Sequence, residues 1–200
     1  LRKSLKNRKF NVLFKNKVSY KETVNLGDGD WDIAYDLYFN NSISLYQQVY
    51  GNKDREEKLW EDGSTHVFIF ATEKTASYYF FNINSNKIFF GEQIANNYYH
   101  FEEDVPIIKW KLINETKKIG GFNCKKAIGK FRGRTYTAWY TEEIPINAGP
   151  RKLKGLSGLI LEVADDGGVY KAQAINISVG KEYDLGKKVV ENKYGNLFQM

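Results

Sequence analysis

Cys124 is the only cysteine of this 200-residue chain, and Lys125 and Lys126 follow it directly. Positive neighbours lower a thiol's pKa, so this triplet is the first candidate for nucleophilic chemistry. Such chemistry also needs a positioned base. Only His66 and His100 exist, and no spacing ties either to Cys124. Cys124 therefore reads as buried packing, and a lone cysteine excludes an internal disulfide. The same three residues match no zinc-ligand spacing. Acids cluster at Glu102-Glu103-Asp104 and Asp165-Asp166, but the first reads as a loop and the second as a turn, not as facing carboxylates with divergent pKa values. Gly155-Leu156-Ser157-Gly158 is out of frame for a nucleophile elbow. Gly158 opens a strand, so no helix N-terminus follows to cradle phosphate. No catalytic residue, metal or cofactor is expected, and the chain reads as non-enzymatic.

Charge is unevenly spread. The net charge is +6. Between Lys117 and Lys154 stand ten basic residues against Glu142 and Glu143 alone. Arg132, Arg134, Arg151, Lys152 and Lys154 are the candidate basic face, suited to an acidic protein surface or to anionic headgroups. Solvated outward positions on strands and turns are the simpler alternative.

The elements that must carry these residues are strands. With 14 Tyr, 13 Phe and 3 Pro, the composition favours pleated sheet over disorder. Ile33–Asn40 and Ser42–Tyr50 form a hairpin pattern around Asn40-Asn41. His66–Ala71, Ser77–Ile83 and Lys87–Gly91 follow, with Asn82–Asn86 as a turn and Trp60 as an anchor in a charged stretch. Tyr78–Ile83 is apolar on both faces, which fits a strand covered on two sides or one lining a cavity. Ile107–Glu115, Phe122–Phe131, Arg134–Thr141, Gly158–Val163 and Val169–Ile177 complete the set. Asp165-Asp166-Gly167-Gly168 is the strongest hairpin turn. The expectation is a mainly β protein: eight to eleven antiparallel strands in a meander forming a strongly curved sheet or open half-barrel. One domain spans 1–200, with a basic arm over about 1–9 and a loose tail over about 187–200. No apolar run is long enough to span a membrane.

The segments Ile119–Pro145 and Ala148–Leu161 carry a resemblance. Gly120-Gly121, Cys124-Lys125-Lys126-Ala127, Trp139-Tyr140, Ile144-Pro145, Gly149-Pro150 and Gly155-Leu156-x-Gly158-Leu159-Ile160 resemble the GLPGLI family of bacterial envelope proteins, with Ser157 where the hallmark has proline. The resemblance implies an exported protein of the periplasm or outer membrane, with an envelope protein or outer-membrane assembly as partner. Its signal peptide is absent from this chain. A fold-level likeness to the LolA/RseB type of half-barrel implies, as an alternative, a carrier of an apolar lipid or peptide ligand. Tyr78, Phe80, Trp110 and Trp139 are its candidate cavity lining. The stretch Lys130–Tyr136 interleaves basic and aromatic residues as single-strand binders do, but the envelope resemblance argues against nucleic acid.

Overall fold

Alternation decides the first two strands. In β1 (Leu13–Asn25) Val18, Tyr20 and Glu22 are buried at alternate positions, and in β2 (Asp30–Phe39) Tyr35, Leu37 and Phe39 are, while Asp32 is buried on the opposite face with Lys21 and Thr23. The period of two sends one face of each strand inward. The computed structural model describes residues 13–27, 29–50, 55–59, 65–69, 75–82 and 86–185, and these contain strands and turns but no helix. The remaining strands are β3 (Ile43–Gln48), β4 (Arg55–Leu59), β5 (Thr65–Ile69), β6 (Tyr78–Asn82), β7 (Lys87–Ile94), β8 (Asn97–Asp104), β9 (Lys111–Ile119), β10 (Phe122–Phe131), β11 (Arg134–Thr141), β12 (Leu159–Asp165) and β13 (Tyr170–Asp184).

Eleven of these form one antiparallel run in the order β8-β7-β6-β3-β2-β1-β13-β12-β11-β10-β9. β4 pairs with β5, and β5 joins β2 by the parallel pairs Trp31↔Val67 and Asp32↔Phe68. β8 and β9 are neighbours in sequence yet stand at opposite ends of the run. Laid flat, eleven strands would measure roughly 48 Å across. Residues 105–110 span at most roughly 25 Å. The sheet must therefore curl until its two edges approach, as the curved-sheet expectation requires.

A strap over residues 142–158 joins β11 to β12 and runs inside the curl. Ile144, Ala148, Leu153 and Leu156 are buried along it. Its backbone is tied to β12 by Leu159 N donating to Ile144 O and Ile160 N donating to Ala148 O. Glycine is required at its end: a Cβ on Gly158 would stand 2.0 Å from the Thr141 carbonyl oxygen. Leu159, Ile160 and Leu161 follow with no exposed surface. The Gly155–Ile160 motif is thus a turn feeding a buried strand.

Two turns match the sequence reading. Asn40 Oδ1 accepts from the backbone N–H groups of Ser42 and Ile43. Asp165 Oδ1 accepts from those of Val169 and Tyr170, while Gly168 takes φ +68°. Three strands were not foreseen, among them β4, whose run Arg55-Glu56-Glu57-Lys58 is charged at both parities. β1 carries lysines and a buried glutamate that mask its stripe, and β8 is an edge strand whose side chains are exposed or half-buried. Glu102-Glu103-Asp104 therefore belongs to a strand, not a loop. The arm over 1–9, the tail over 187–200, Trp60 and most of the Asn82–Asn86 turn lie outside the described residues.

Candidate functional site

Three aromatic residues directly opposite one another on β6, β7 and β8 build one wall of a cleft. Tyr79 pairs with Phe90, and Phe90 with Phe101. Their rings stack at 5.8 Å and 4.8 Å between centroids, with interplanar angles of 10° and 18°. Cross-strand aromatic pairs of this kind stiffen a sheet face. Phe131, Arg132, Tyr136 and Tyr170 come from the far side of the curl, and the strap supplies Arg151, Lys152 and Leu153. Glu92 and Glu103 complete a cleft of about 400 Å³.

Arg151 organises its base. The residue sits at a left-handed φ of +50°, a conformation that persists only when its surroundings over-determine it. Its guanidinium grips the fully buried Glu22 of β1 through Nε and Nη2, at 3.0 Å and 2.8 Å to Oε2. Glu22 Oε1 also accepts from the Tyr46 and Tyr170 hydroxyls, at 2.8 Å and 2.6 Å. Burial disfavours the charge on Arg151, yet the Glu22 carboxylate holds its pKa well above the ordinary arginine range. Burial and the same carboxylate push the Tyr46 and Tyr170 phenols far up, so both remain donors. The guanidinium also lies 5.8 Å from the Tyr35 ring centroid and 5.4 Å from that of Tyr170.

Lys152 and Arg132 share a single acid, Glu103 of β8. Lys152 Nζ is 2.9 Å from Glu103 Oε1 and 3.3 Å from the Phe90 ring centroid. Arg132 reaches Glu103 Oε2 at 3.1 Å from the β10–β11 turn. These two pairs tie the strap and the far side of the curl to the edge strand. Glu92 accepts a hydrogen bond from the Tyr79 hydroxyl. The cleft thus combines apolar ring surface with charged groups already held in place, a surface fitted to a ligand that is apolar on one side and hydrogen-bonding on the other.

The five residues nominated as a basic face are divided, with Arg132 and Arg134 exposed and the lysines inside. Lys152 and Lys154 are 7% and 2% exposed because the strap carries them inside the curl. Lys154 Nζ lies 3.4 Å from Ser44 Oγ and 4.1 Å from the Phe81 ring centroid, and burial lowers its pKa to about 7. Arg134 instead binds Asp165 at 2.6 Å. Of the five cations, Arg132, Arg151 and Lys152 meet in the cleft.

The four residues nominated as cavity lining stand outside this cleft. Tyr78 and Phe80 point to the other side of β6, packing with Phe14, Leu45 and Phe89. Trp110 donates from Nε1 to the Lys154 carbonyl at 2.7 Å and closes over Gly129 and Gly155. Trp139 lies beneath Lys117 and Lys126 at 4.5 Å and 5.7 Å. Cys124 is fully buried, and burial pushes its thiol up to about 11, which suits packing and not attack. Lys125 and Lys126 pair with Glu142 and Glu115. Gly121 has φ +90° in the β9–β10 turn. Gly149 and Pro150 lie in the strap, where a Cβ on Gly149 would stand 2.7 Å from the Leu153 carbonyl oxygen and Pro150 O accepts from Leu153 N.

With this geometry in hand, comparison with known proteins settles the lineage. Residues 61–197 match the family described as "N-glycanase peptide, N-terminal domain". The chain belongs to that family. Two solved structures of PNGF-II, in space groups C2 and P21, share its fold with TM-scores of 0.59 and 0.56, at 19% and 18% sequence identity. They are matched over 89% and 86% of this chain but only 30% and 29% of their own length, so the chain spans about a third of either. No curated protein sequence matches.

This N-glycanase family match overturns the GLPGLI assignment. The residues behind that resemblance, Gly149, Pro150, Gly155 and Gly158 with Leu159 and Ile160, here turn the strap into a buried strand. They report a backbone path, not a lineage. The non-enzymatic reading, as an envelope accessory or as a LolA-type carrier, falls with it, since the family is named for a glycan-cleaving enzyme. Among the described residues no helix is long and apolar enough to cross a membrane.

Proposed function

We propose that this chain is the N-terminal domain of an N-glycanase-type enzyme, and that the aromatic cleft under the strap is the surface it turns toward the glycosylated substrate. The family match over residues 61–197 carries this reading, and the PNGF-II fold likeness supports it. The cleft supports it physically. A glycopeptide is amphipathic on a small scale, with C–H faces and hydroxyl rims on its sugars, and the cleft offers ring surface beside fixed donors and acceptors.

Isothermal titration of the chain with an N-glycosylated peptide, and with the same peptide lacking its glycan, tests the proposal. Binding of the glycosylated peptide alone is expected. Equal binding of both peptides, or of neither, overturns the reading.

A further inference from the structure

The charges around the cleft are matched within the protein before any ligand arrives. Arg151 is paired with Glu22, and Arg132 and Lys152 with Glu103. Glu92 is held by the Tyr79 hydroxyl. An anion entering here meets cations whose field is already largely cancelled, and to bind them it must displace carboxylates at short range. A neutral polyol needs no such exchange, because each hydroxyl both donates and accepts.

One group is arranged to receive it. Arg151 spends Nε and Nη2 on Glu22, and among the described residues Nη1 makes no hydrogen bond. The side chain is 34% exposed and lines the cleft, which leaves its unused N–H groups for a ligand. The strained backbone of Arg151 and the rings of Tyr35 and Tyr170 fix the guanidinium in advance. Donors positioned before binding cost little ordering entropy when the ligand arrives. Half-buried Phe101 and Phe131 line the same cleft from its two sides and supply apolar surface for the C–H face of a sugar ring.

We infer that the cleft is a subsite for a neutral, hydroxyl-rich saccharide, with Arg151 as its hydrogen-bond anchor and Phe101 and Phe131 as its apolar surfaces. The inference rests on the N-glycanase reading for its substrate class and adds which part of the glycan the domain holds.

The test is calorimetric titration of the chain with a neutral biantennary N-glycan and with its disialylated counterpart, each at low and high salt. Both are expected to bind alike, with affinities that salt leaves nearly unchanged. Arg151→Lys keeps the charge but loses the planar fork and should weaken the neutral glycan by about tenfold. Phe131→Ala, at a half-buried position, should weaken it comparably while the melting profile confirms folding. Tighter, salt-sensitive binding of the sialylated glycan overturns the inference in favour of an anion site. Undiminished affinity in both variants overturns it by placing the glycan elsewhere. Binding of the glycopeptide but of neither free glycan overturns it too, and leaves the broader functional reading standing.

Discussion

Lys154 sits inside the curl against the Ser44 hydroxyl and the Phe81 ring, and among the described residues no carboxylate pairs with it. In the unfolded chain it keeps its proton up to the ordinary lysine value of 10.5, whereas burial makes the folded protein release it near 7. Between those values the unfolded state binds more protons, so the contribution of Lys154 to stability rises with pH from about 7 towards 10.5. Lys154→Met should raise the melting temperature at pH 7 and below, by a term on the order of a few kcal/mol, and flatten this slope. Thermal melts of both proteins across pH 6 to 10 check this, and parallel profiles would contradict it. Glu22 is the opposite case. Glu22→Gln leaves the Arg151 guanidinium, one third exposed at the cleft, without its counter-charge and should cost about 1–3 kcal/mol in chemical denaturation. Neither residue announced itself in the sequence. Glu22 lies among lysines, and its partner Arg151 is 129 residues away, so no local pattern links them. Cys124 was legible as packing because a lone thiol without a nearby base has little else to do.

At the scale of elements, turns were readable and faces were not. Asn40 and the Asp165–Gly168 turn show their chemistry in the sequence, since side-chain oxygens and glycine are what tight turns demand. β6 reads Tyr78-Tyr79-Phe80-Phe81, apolar at both parities, so nothing local says which residue faces the cleft. The choice falls on Tyr79 because it aligns with Phe90 and Phe101 across three strands. The strap carries its own prediction. Gly158→Ala forces a methyl to within 2.0 Å of the Thr141 carbonyl oxygen and should destabilise the β11–β12 connection severely. Ser157→Ala removes only a bond to exposed Glu142 and should cost about 1 kcal/mol or less. Similar losses of melting temperature in the two variants would show that the strap is not held as described.

For the whole molecule, the decisive feature is that the chain returns from β8 to β9 through six residues while the sheet between them is eleven strands wide. Curl was therefore forced by topology, and the sequence suggested it only through its strand count and scarcity of helix signals. The curl is held by the buried clusters, and the Arg132–Glu103 tie across its mouth is a solvent-exposed pair. Arg132→Ala should accordingly cost less than about 1 kcal/mol in denaturant, whereas a loss comparable to Glu22→Gln would mean that the tie closes the fold. The central claim, that this cleft meets the glycosylated substrate, is tested most directly by NMR of the labelled chain titrated with an N-glycosylated peptide. The account predicts shifts concentrated on Tyr79, Phe90, Phe101, Phe131, Tyr136 and Tyr170. Shifts that avoid these six rings and gather instead around Trp139 or the outer face of β13 would contradict it.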